Sequence, residues 1–430
     1  MGKDLDIELK DISKIEGHTN MSVQVRDGKV LDCKLKISEN KRFFTEAIIG
    51  MRYDKVSSLM SRVCGTCSSA HVLCSIEAIE KGFGVVPSDQ TMRLRNLLVN
   101  ANHLRDHAMH LWFFVLPDLF DVDSVLDFEK DKYGLLQDGL DVKSAGNFLS
   151  KIIGGRAVHP PFGVVGGFTN FPEESDVKEA VQMLKDSRKK ILKLIDVLWK
   201  KRRKLNFERK VNYVGLMNDD YNFLEGKIRG SDGLMIEERH FGLHLSRVIL
   251  PYSNATGFRF DGKEFLTGAL ARMNVNKDKL NAKTRRDVGK YLKHFPSDNV
   301  FDNNLAQAIE CLNIVDNSIE LLGIPIGKED LARIVPRKST GIGVMEAPRG
   351  TLYYRLDFDD KGIVTFVDLC IPTAQNIINI EKTIGAYVES LLEKGKDKRE
   401  IVFEVEKMIR AYDPCMSCAA HFLKIDWEEE

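Results

Sequence analysis

Two Cys-x-x-Cys pairs stand near opposite ends of the chain and constrain its fold more than any other feature. The first lies in Arg62-Val-Cys64-Gly-Thr-Cys67 and the second in Asp413-Pro-Cys415-Met-Ser-Cys418. A tight turn brings residues i and i+3 together, so one soft metal can take both sulfurs of a pair. One pair alone is a weak signal. Two pairs make a four-thiolate site, and then residues about 350 positions apart must meet in space. Zinc ribbons separate their pairs by only ~15–20 residues. The spacing therefore favours a redox or catalytic metal over structural zinc, with unrelated thiols as the remaining reading. Each pair has a histidine downstream, His71 and His421. A histidine beside a cysteine is more often structural than a ligand. His421 is the more suspicious of the two because it closes the last motif before an acidic tail.

The rest of the composition is that of an ordinary globular protein. Lys plus Arg and Asp plus Glu are balanced at 63 each, so no global charge draws the chain to nucleic acid or to an anionic membrane. The N-terminus has no apolar stretch of the secretory kind. No uncharged apolar run approaches the roughly 20 residues that span a bilayer. Eight cysteines in that setting read as reduced thiols of a cytoplasmic protein rather than as a disulfide scaffold. The chain shows no repeats and no linker. Its reading is one domain, 1–430, of α+β class, mainly helical with a small β portion.

Asp27-Gly28 between alternating runs predicts a hairpin over 21–37. Helices are predicted over 44–63, over 91–116 ending at Pro117, over 174–205, over 303–322 and over 374–411. A strand pair is predicted at 350–370. Residues 154–168 are rich in Gly and Pro and read as irregular. The segment 205–300 mixes short pieces that periodicity does not order. The basic run Lys200, Lys201, Arg202, Arg203 and Lys204 reads as a solvated face, with a docking patch as the alternative.

The two cysteine motifs together, at opposite ends of a chain this long, resemble the paired signatures of [NiFe]-hydrogenase large subunits. Further elements match in order. Lys14-Ile-Glu16-Gly-His18 resembles that family's Arg-Ile-Glu-Gly-His element, with Lys14 in place of Arg. Glu346-Ala-Pro348-Arg349-Gly350 resembles its Ala-Pro-Arg-Gly loop, and Pro372-Thr373-Ala-Gln-Asn376 its Pro-Ser/Thr-x-x-Asn segment. His107-Ala-Met-His110, running to Leu116-Pro117-Asp118, resembles its inner helix.

The resemblance implies a central helix bundle around a nickel–iron centre. Cys64 and Cys415 would be terminal on nickel, and Cys67 and Cys418 would bridge to an iron carrying one carbon monoxide and two cyanides. Arg349 would cap the open side, with Pro348 and Thr373 around the cyanides. Glu16 would be the proton gate beside Cys415, and Asp118 a further catalytic carboxylate. Glu46 and His421 would hold magnesium. Each residue also has a plainer reading: Glu16 at a turn, Arg349 as a surface ion-pair residue and Asp118 as a cap. Cys33, Cys74, Cys311 and Cys370 match no ligand position and read as small hydrophobes.

No further cysteine cluster offers an iron–sulfur site, so the implied partner is an iron–sulfur small subunit. Arg42-Phe-Phe44, Leu116-Pro-Asp118 and Asn303–Glu310 resemble the soluble branch, which delivers electrons to NAD(P), a deazaflavin (F420) or a bifurcating flavin system. No GxGxxG follows a strand, so any nucleotide site is expected on further electron-transfer subunits. The alternative is a hydrogenase-derived subunit of a quinone-reducing, proton-pumping complex, in which the metal cysteines are usually lost. In many relatives a maturation protease removes a short extension after the final motif. Here residues 422–430 follow His421. The expectation is that His421 is buried near Glu46, that Asp426–Glu430 are exposed, and that the active enzyme lacks 422–430.

Overall fold

The computed structural model describes residues 4–420. The hairpin forms where the turn chemistry puts it. Thr19–Arg26 and Lys29–Ile37 pair antiparallel around Asp27-Gly28, both at positive φ, as a two-residue hairpin turn requires. Leu5–Leu9 adds on the other side of Thr19–Arg26 to complete a three-stranded sheet. The outer strand Lys29–Ile37 is covered by the helix Pro372–Glu393, whose Glu389 and Glu381 accept from the Val30 and Leu35 amides, each at 2.8 Å. The N-terminal sheet is thereby tied to the C-terminal third of the chain, and an edge that would invite another strand is closed.

Helices build the centre. Asp89–Ala108 packs along Tyr133–Gly154 and Asn303–Leu322, and Glu174–Lys201 packs against both of these. The helices Asp89–Ala108 and Tyr133–Gly154 approach closely at Gly146, where a Cβ would stand 2.8 Å from the Arg105 amide nitrogen. A single cluster of buried apolar side chains runs from Ile7 to Ala420.

The structure departs from the sequence expectations in four places. The predicted 44–63 helix is two, Phe44–Ile48 and Tyr53–Met60, interrupted at Gly50, which has a φ of 82°. The predicted 91–116 helix does not stop at Pro117. It widens into a π-helix over Met109–Val115 and continues as Leu116–Leu119, with Pro117 in the first turn, where no N–H is needed. The 374–411 helix is two, Pro372–Glu393 and Lys398–Ala411, and the second opens with an Asp397/Glu400 capping box. The strand pair at 350–370 is a three-stranded antiparallel sheet, Ser339–Ala347, Gly350–Phe358 and Val364–Cys370.

The unordered 205–300 segment contains the four-stranded sheet Phe265–Leu266, Asn212–Met217, Lys227–Gly230, Met235–Glu237 and the hairpin Leu245–Val248/Gly257–Phe260. The basic run after Glu174–Lys201 is partly engaged within the chain. Arg202 stacks 3.5 Å from the Trp199 ring, Lys201 lies over Phe120, and Lys204 pairs with Asp121. Among the described residues no helix is long and apolar enough to cross a membrane.

Candidate metal centre

The first pair sits where the chain turns from Tyr53–Met60 into Ser68–Phe83, with Cys67 capping the start of that second helix. The helix is fixed against Ser339–Ala347 by backbone contact. A Cβ on Gly341 would overlap the Ala78 carbonyl oxygen, and one on Gly343 would lie 2.3 Å from the Cys74 oxygen. That strand ends at Ala347 and delivers Pro348-Arg349 to the first cysteine pair. The loop is held from behind by buried Arg272, which donates to the Ala347 and Pro348 carbonyls and to Glu346 and Glu310.

The second pair is brought in by the N-terminus. Glu16 and Cys415 form an isolated parallel bridge, the Met416 amide donates to the Glu16 carbonyl at 2.9 Å, and the Cys415 amide donates to the Thr373 hydroxyl oxygen at 2.9 Å. Arg42 straddles both motifs, donating to the Val63 and Ser417 carbonyls at 3.0 and 3.1 Å.

The four sulfurs lie within 4.8 Å of one another, and all four residues are buried. Cys64 Sγ is 3.4 Å from Cys415 Sγ, and Cys67 Sγ is 3.3 Å from Cys418 Sγ, well beyond the ~2.05 Å of a disulfide. Hydrogen bonds from Cys415, Cys418 and Cys67 hold the Cys64 thiol well below its ordinary range, while burial pushes Cys415 and Cys418 well above theirs. The protein by itself thus favours one thiolate. Four soft donors packed this closely and away from solvent fit a thiophilic cation, whose charge permits simultaneous ionisation.

Arg349 faces the sulfurs. It is buried and donates to both oxygens of Asp106, to Asp413 Oδ1 at 3.2 Å and to the Thr66 hydroxyl at 3.4 Å. Burial opposes its charge, and Asp106 and Asp413 hold its pKa well above the ordinary value. Asp413 takes a left-handed backbone conformation, φ 50°, that aims the chain into the cysteine turn. Glu16 is half-buried; its Oε2 accepts from Cys415 Sγ at 3.0 Å and from the Ser417 amide at 3.1 Å. Burial first, and then the Cys64 charge, raise its pKa, so this carboxyl takes up a proton more readily than one in water. His71 is not a ligand. Its Nε2 is 3.8 Å from Cys418 Sγ and its Nδ1 is 2.5 Å from the Tyr354 hydroxyl, and burial pushes its pKa down to about 4.

A cavity of about 10 Å³ adjoins the sulfurs, walled by Ala347, Arg349, Ile371, Pro372 and Thr373. Thr373 lies on this wall. Pro348 is not on this wall; its carbonyl is occupied by Arg272, and Pro372 supplies the proline there.

Asp118 is placed differently from its expected role. It forms a bidentate ion pair with Arg410, at 2.6 and 3.0 Å, and pairs with Lys14 at 2.8 Å, so it fastens the Lys14-Ile-Glu16 segment to the helix Lys398–Ala411. Two carboxylates meet Arg349: Asp413, which belongs to the second cysteine motif, and Asp106, which sequence reading missed. The signal that could have found it was the density of polar residues, His103, Arg105, Asp106, His107 and His110, in a segment that otherwise reads as core. Glu46 is exposed in the first turn of Phe44–Ile48. The expected burial of His421 beside it, and the exposure of Asp426–Glu430, lie outside the described residues. Cys74, Cys311 and Cys370 are buried and Cys33 partly so, none of them grouped with other ligand-type residues among those described.

Comparison with known proteins bears on both motifs. The family described as nickel-dependent hydrogenase matches residues 45–139 and 244–421. The chain is 28% identical to the alpha subunit of sulfhydrogenase 1 from Pyrococcus furiosus, covering 98% of this chain and 99% of that one. It is 28% identical to an F420-non-reducing hydrogenase iron-sulfur subunit of Archaeoglobus profundus, covering 97% and 94%. In fold it is similar to an NAD+-reducing [NiFe]-hydrogenase in the H2-reduced state, with TM-score 0.89, 21% identity and coverage of 97% and 99%. It is also similar to the Ni-Fe-Se hydrogenase of D. vulgaris Hildenborough, with TM-score 0.79, 21% identity and coverage of 97% and 100%. The family match falls on both cysteine pairs and on the Arg349 loop between them, and these are the parts the fold brings together: the chain belongs to the nickel-dependent hydrogenase family.

Proposed function

We propose that this chain is the catalytic large subunit of a [NiFe]-hydrogenase that splits dihydrogen reversibly and heterolytically into protons and electrons. The observation that carries the reading is the convergence of Cys64, Cys67, Cys415 and Cys418 with Glu16 only 3.0 Å from the Cys415 sulfur. Cys64 and Cys415 would hold nickel, and Cys67 and Cys418 would share it with an iron bearing one carbon monoxide and two cyanides. When bound, this group supplies the Lewis acidity that polarises dihydrogen and the redox capacity for its electrons.

The remaining work falls to the chain itself. Cys415 Sγ accepts the proton and passes it to Glu16 Oε2, whose raised pKa suits it to receive one inside the protein and release it outward. Arg349, fixed by two carboxylates, sets a permanent positive charge opposite the thiolates and excludes water from the cavity. Ala347, Ile371, Pro372 and Thr373 give that cavity its largely apolar wall, suited to small strong-field ligands.

Electrons leave to an iron–sulfur small subunit, and from there to a soluble acceptor, NAD(P), F420 or a bifurcating flavin system, in a cytoplasmic assembly. The relatives named as sulfhydrogenase and F420-non-reducing hydrogenase subunits support this branch. Magnesium at Glu46 and His421, and removal of 422–430 by a maturation protease, belong to the same reading. The four intact cysteines weigh against the quinone-reducing alternative. The test is dihydrogen–deuterium exchange by the purified complex: HD release from D2 in H2O is expected, and a nickel-loaded complex that releases none contradicts the assignment.

A further inference from the structure

Helix Asp89–Ala108 turns one face to the first cysteine pair. Asn102, Arg105 and Asp106 stand at i, i+3 and i+4 and so share that face. Asp106 goes to Arg349, and the other two go to the backbone of the cysteine turn. Asn102 is fully buried and spans Cys67. Its Nδ2 donates at 3.1 Å to the Thr66 carbonyl, which belongs to the peptide bond leading into Cys67, and its Oδ1 accepts from the Ser69 amide at 3.1 Å. Ser69 lies in the first turn of Ser68–Phe83, where an amide has no partner in its own helix, so Asn102 supplies one.

Arg105 is buried as well. One terminal nitrogen donates to the Thr66 carbonyl and, at 3.4 Å, to that of Gly65; the other donates to the Ala157 carbonyl. Burial pulls its pKa down, yet a guanidinium stays protonated inside proteins, and the planar fork keeps its donors. The segment around Ala157 lies against the same turn. The His159 amide donates to Ser68 Oγ at 3.0 Å, and the His159 Nδ1–H donates to the Ser61 carbonyl at 2.7 Å. We infer that Asn102 and Arg105 are positioning residues that hold the Cys64–Cys67 turn in its ligating shape before any metal binds: the first pair is the fixed half of the site, and the second pair is the half that closes.

The surroundings of the two turns support that division. The first turn rests on a helix packed along two others, and Gly146 lets one of these come so close that a Cβ there would stand 2.8 Å from the Arg105 amide nitrogen. Side chains rooted in so dense a bundle have little room to shift. The second turn depends instead on Glu16, half-buried on an irregular segment, for the bonds to the Met416 and Ser417 amides. A turn that is already ordered has no ordering left to do on binding, so the metal keeps more of its binding energy. Asn102 and Arg105 act through this turn, since the bonds they make are to its backbone and to the segment beside it.

Amide hydrogen exchange in the full complex, read by mass spectrometry of its peptides, tests the order of assembly on the unaltered protein. When a chelator removes the nickel, exchange over 64–70 is expected to stay as slow as before, while exchange over 412–420 rises. Protection lost over both segments together overturns the inference. Two variants test the residues themselves. Asn102→Leu keeps the volume without the amide, and Arg105→Lys keeps the charge without the fork. Each is expected to speed exchange over 64–70 at least about tenfold, the weight of one buried hydrogen bond, and to speed nickel loss to a chelator about 10- to 100-fold. A merely structural role would lower the thermal midpoint and leave both rates alone, and that result also overturns the inference. If neither variant folds, exchange in the unaltered complex decides. Only the identity of the metal rests on the proposed function: zinc in a complex that keeps 64–70 protected after its removal would count for the fixed turn and against the hydrogenase reading.

Discussion

At the scale of single residues the site separates holding a proton from holding a charge. Glu16 is the only carboxyl found bonded to a cysteine sulfur among the described residues, and its raised pKa makes it a carrier rather than a fixed anion. Glu16→Gln keeps the shape and the hydrogen bond from Ser417 but carries no proton. It is expected to retain nickel and to slow hydrogen–deuterium exchange by about 100-fold or more, the usual weight of a positioned acid–base group; near-normal exchange would remove Glu16 as the sole gate. Arg349 has the opposite task. Its planar fork reaches Asp106 and Asp413 together, which a lysine cannot do, so Arg349→Lys is expected to lose activity by at least about tenfold with nickel retained. An unchanged rate would reduce its role to charge alone.

The sequence announced Glu16 and Arg349 through short local motifs. Asp106 stayed hidden because its partner lies 243 positions away; only the crowding of polar residues around it in a helix that otherwise reads as core marked it. Asp118 stands beside a proline in a recognisable motif, but its partners, Arg410 and Lys14, lie far from it in sequence, so the motif alone does not show its ion pairs.

At the scale of elements, legibility follows how local each decision is. Asp27-Gly28 specifies its hairpin within four residues, and the amphipathic stripe of 174–205 specifies a helix that ends at Lys201. Ser339–Ala347 was missed because it is buried on both faces near its end and because Gly341 and Gly343 interrupt the alternation that marks a strand. Those glycines are there for the approach to Ser68–Phe83, which fixes the distance between the first cysteine pair and Arg349. Gly341→Ala would drive a methyl into the Ala78 carbonyl. It is expected to destabilise the chain by about 1–3 kcal/mol, the usual cost of overpacking, or more where the helix cannot shift. A thermal melt reads this directly, and an unshifted midpoint would show that the strand and helix separate freely. Most of the short strands of 205–300 pair with their neighbours in sequence, and Phe265–Leu266 returns to Asn212–Met217; strands this short give periodicity too few residues to carry a register.

At the scale of the whole molecule the metal centre is a clasp. Its two halves are set by the first 70 residues and the last 20 of those described; Arg42 and Glu16 hydrogen-bond one half to the other, and the Lys14–Asp118–Arg410 ion pairs fasten them further. A ligand that binds only the closed arrangement stabilises it by mass action. Limited proteolysis is therefore expected to cut a nickel-depleted chain in the segment around 412–420 and to spare the loaded chain; identical digestion patterns would show that the clasp closes without metal. The most direct test of the central claim is the metal content of the purified subunit. Nickel is expected in stoichiometric amount with iron beside it, and both should be lost on Cys415→Ser, because a hydroxyl is a harder and far less acidic donor than a thiol. Zinc in its place, or nickel that survives the loss of Cys415, would contradict the account.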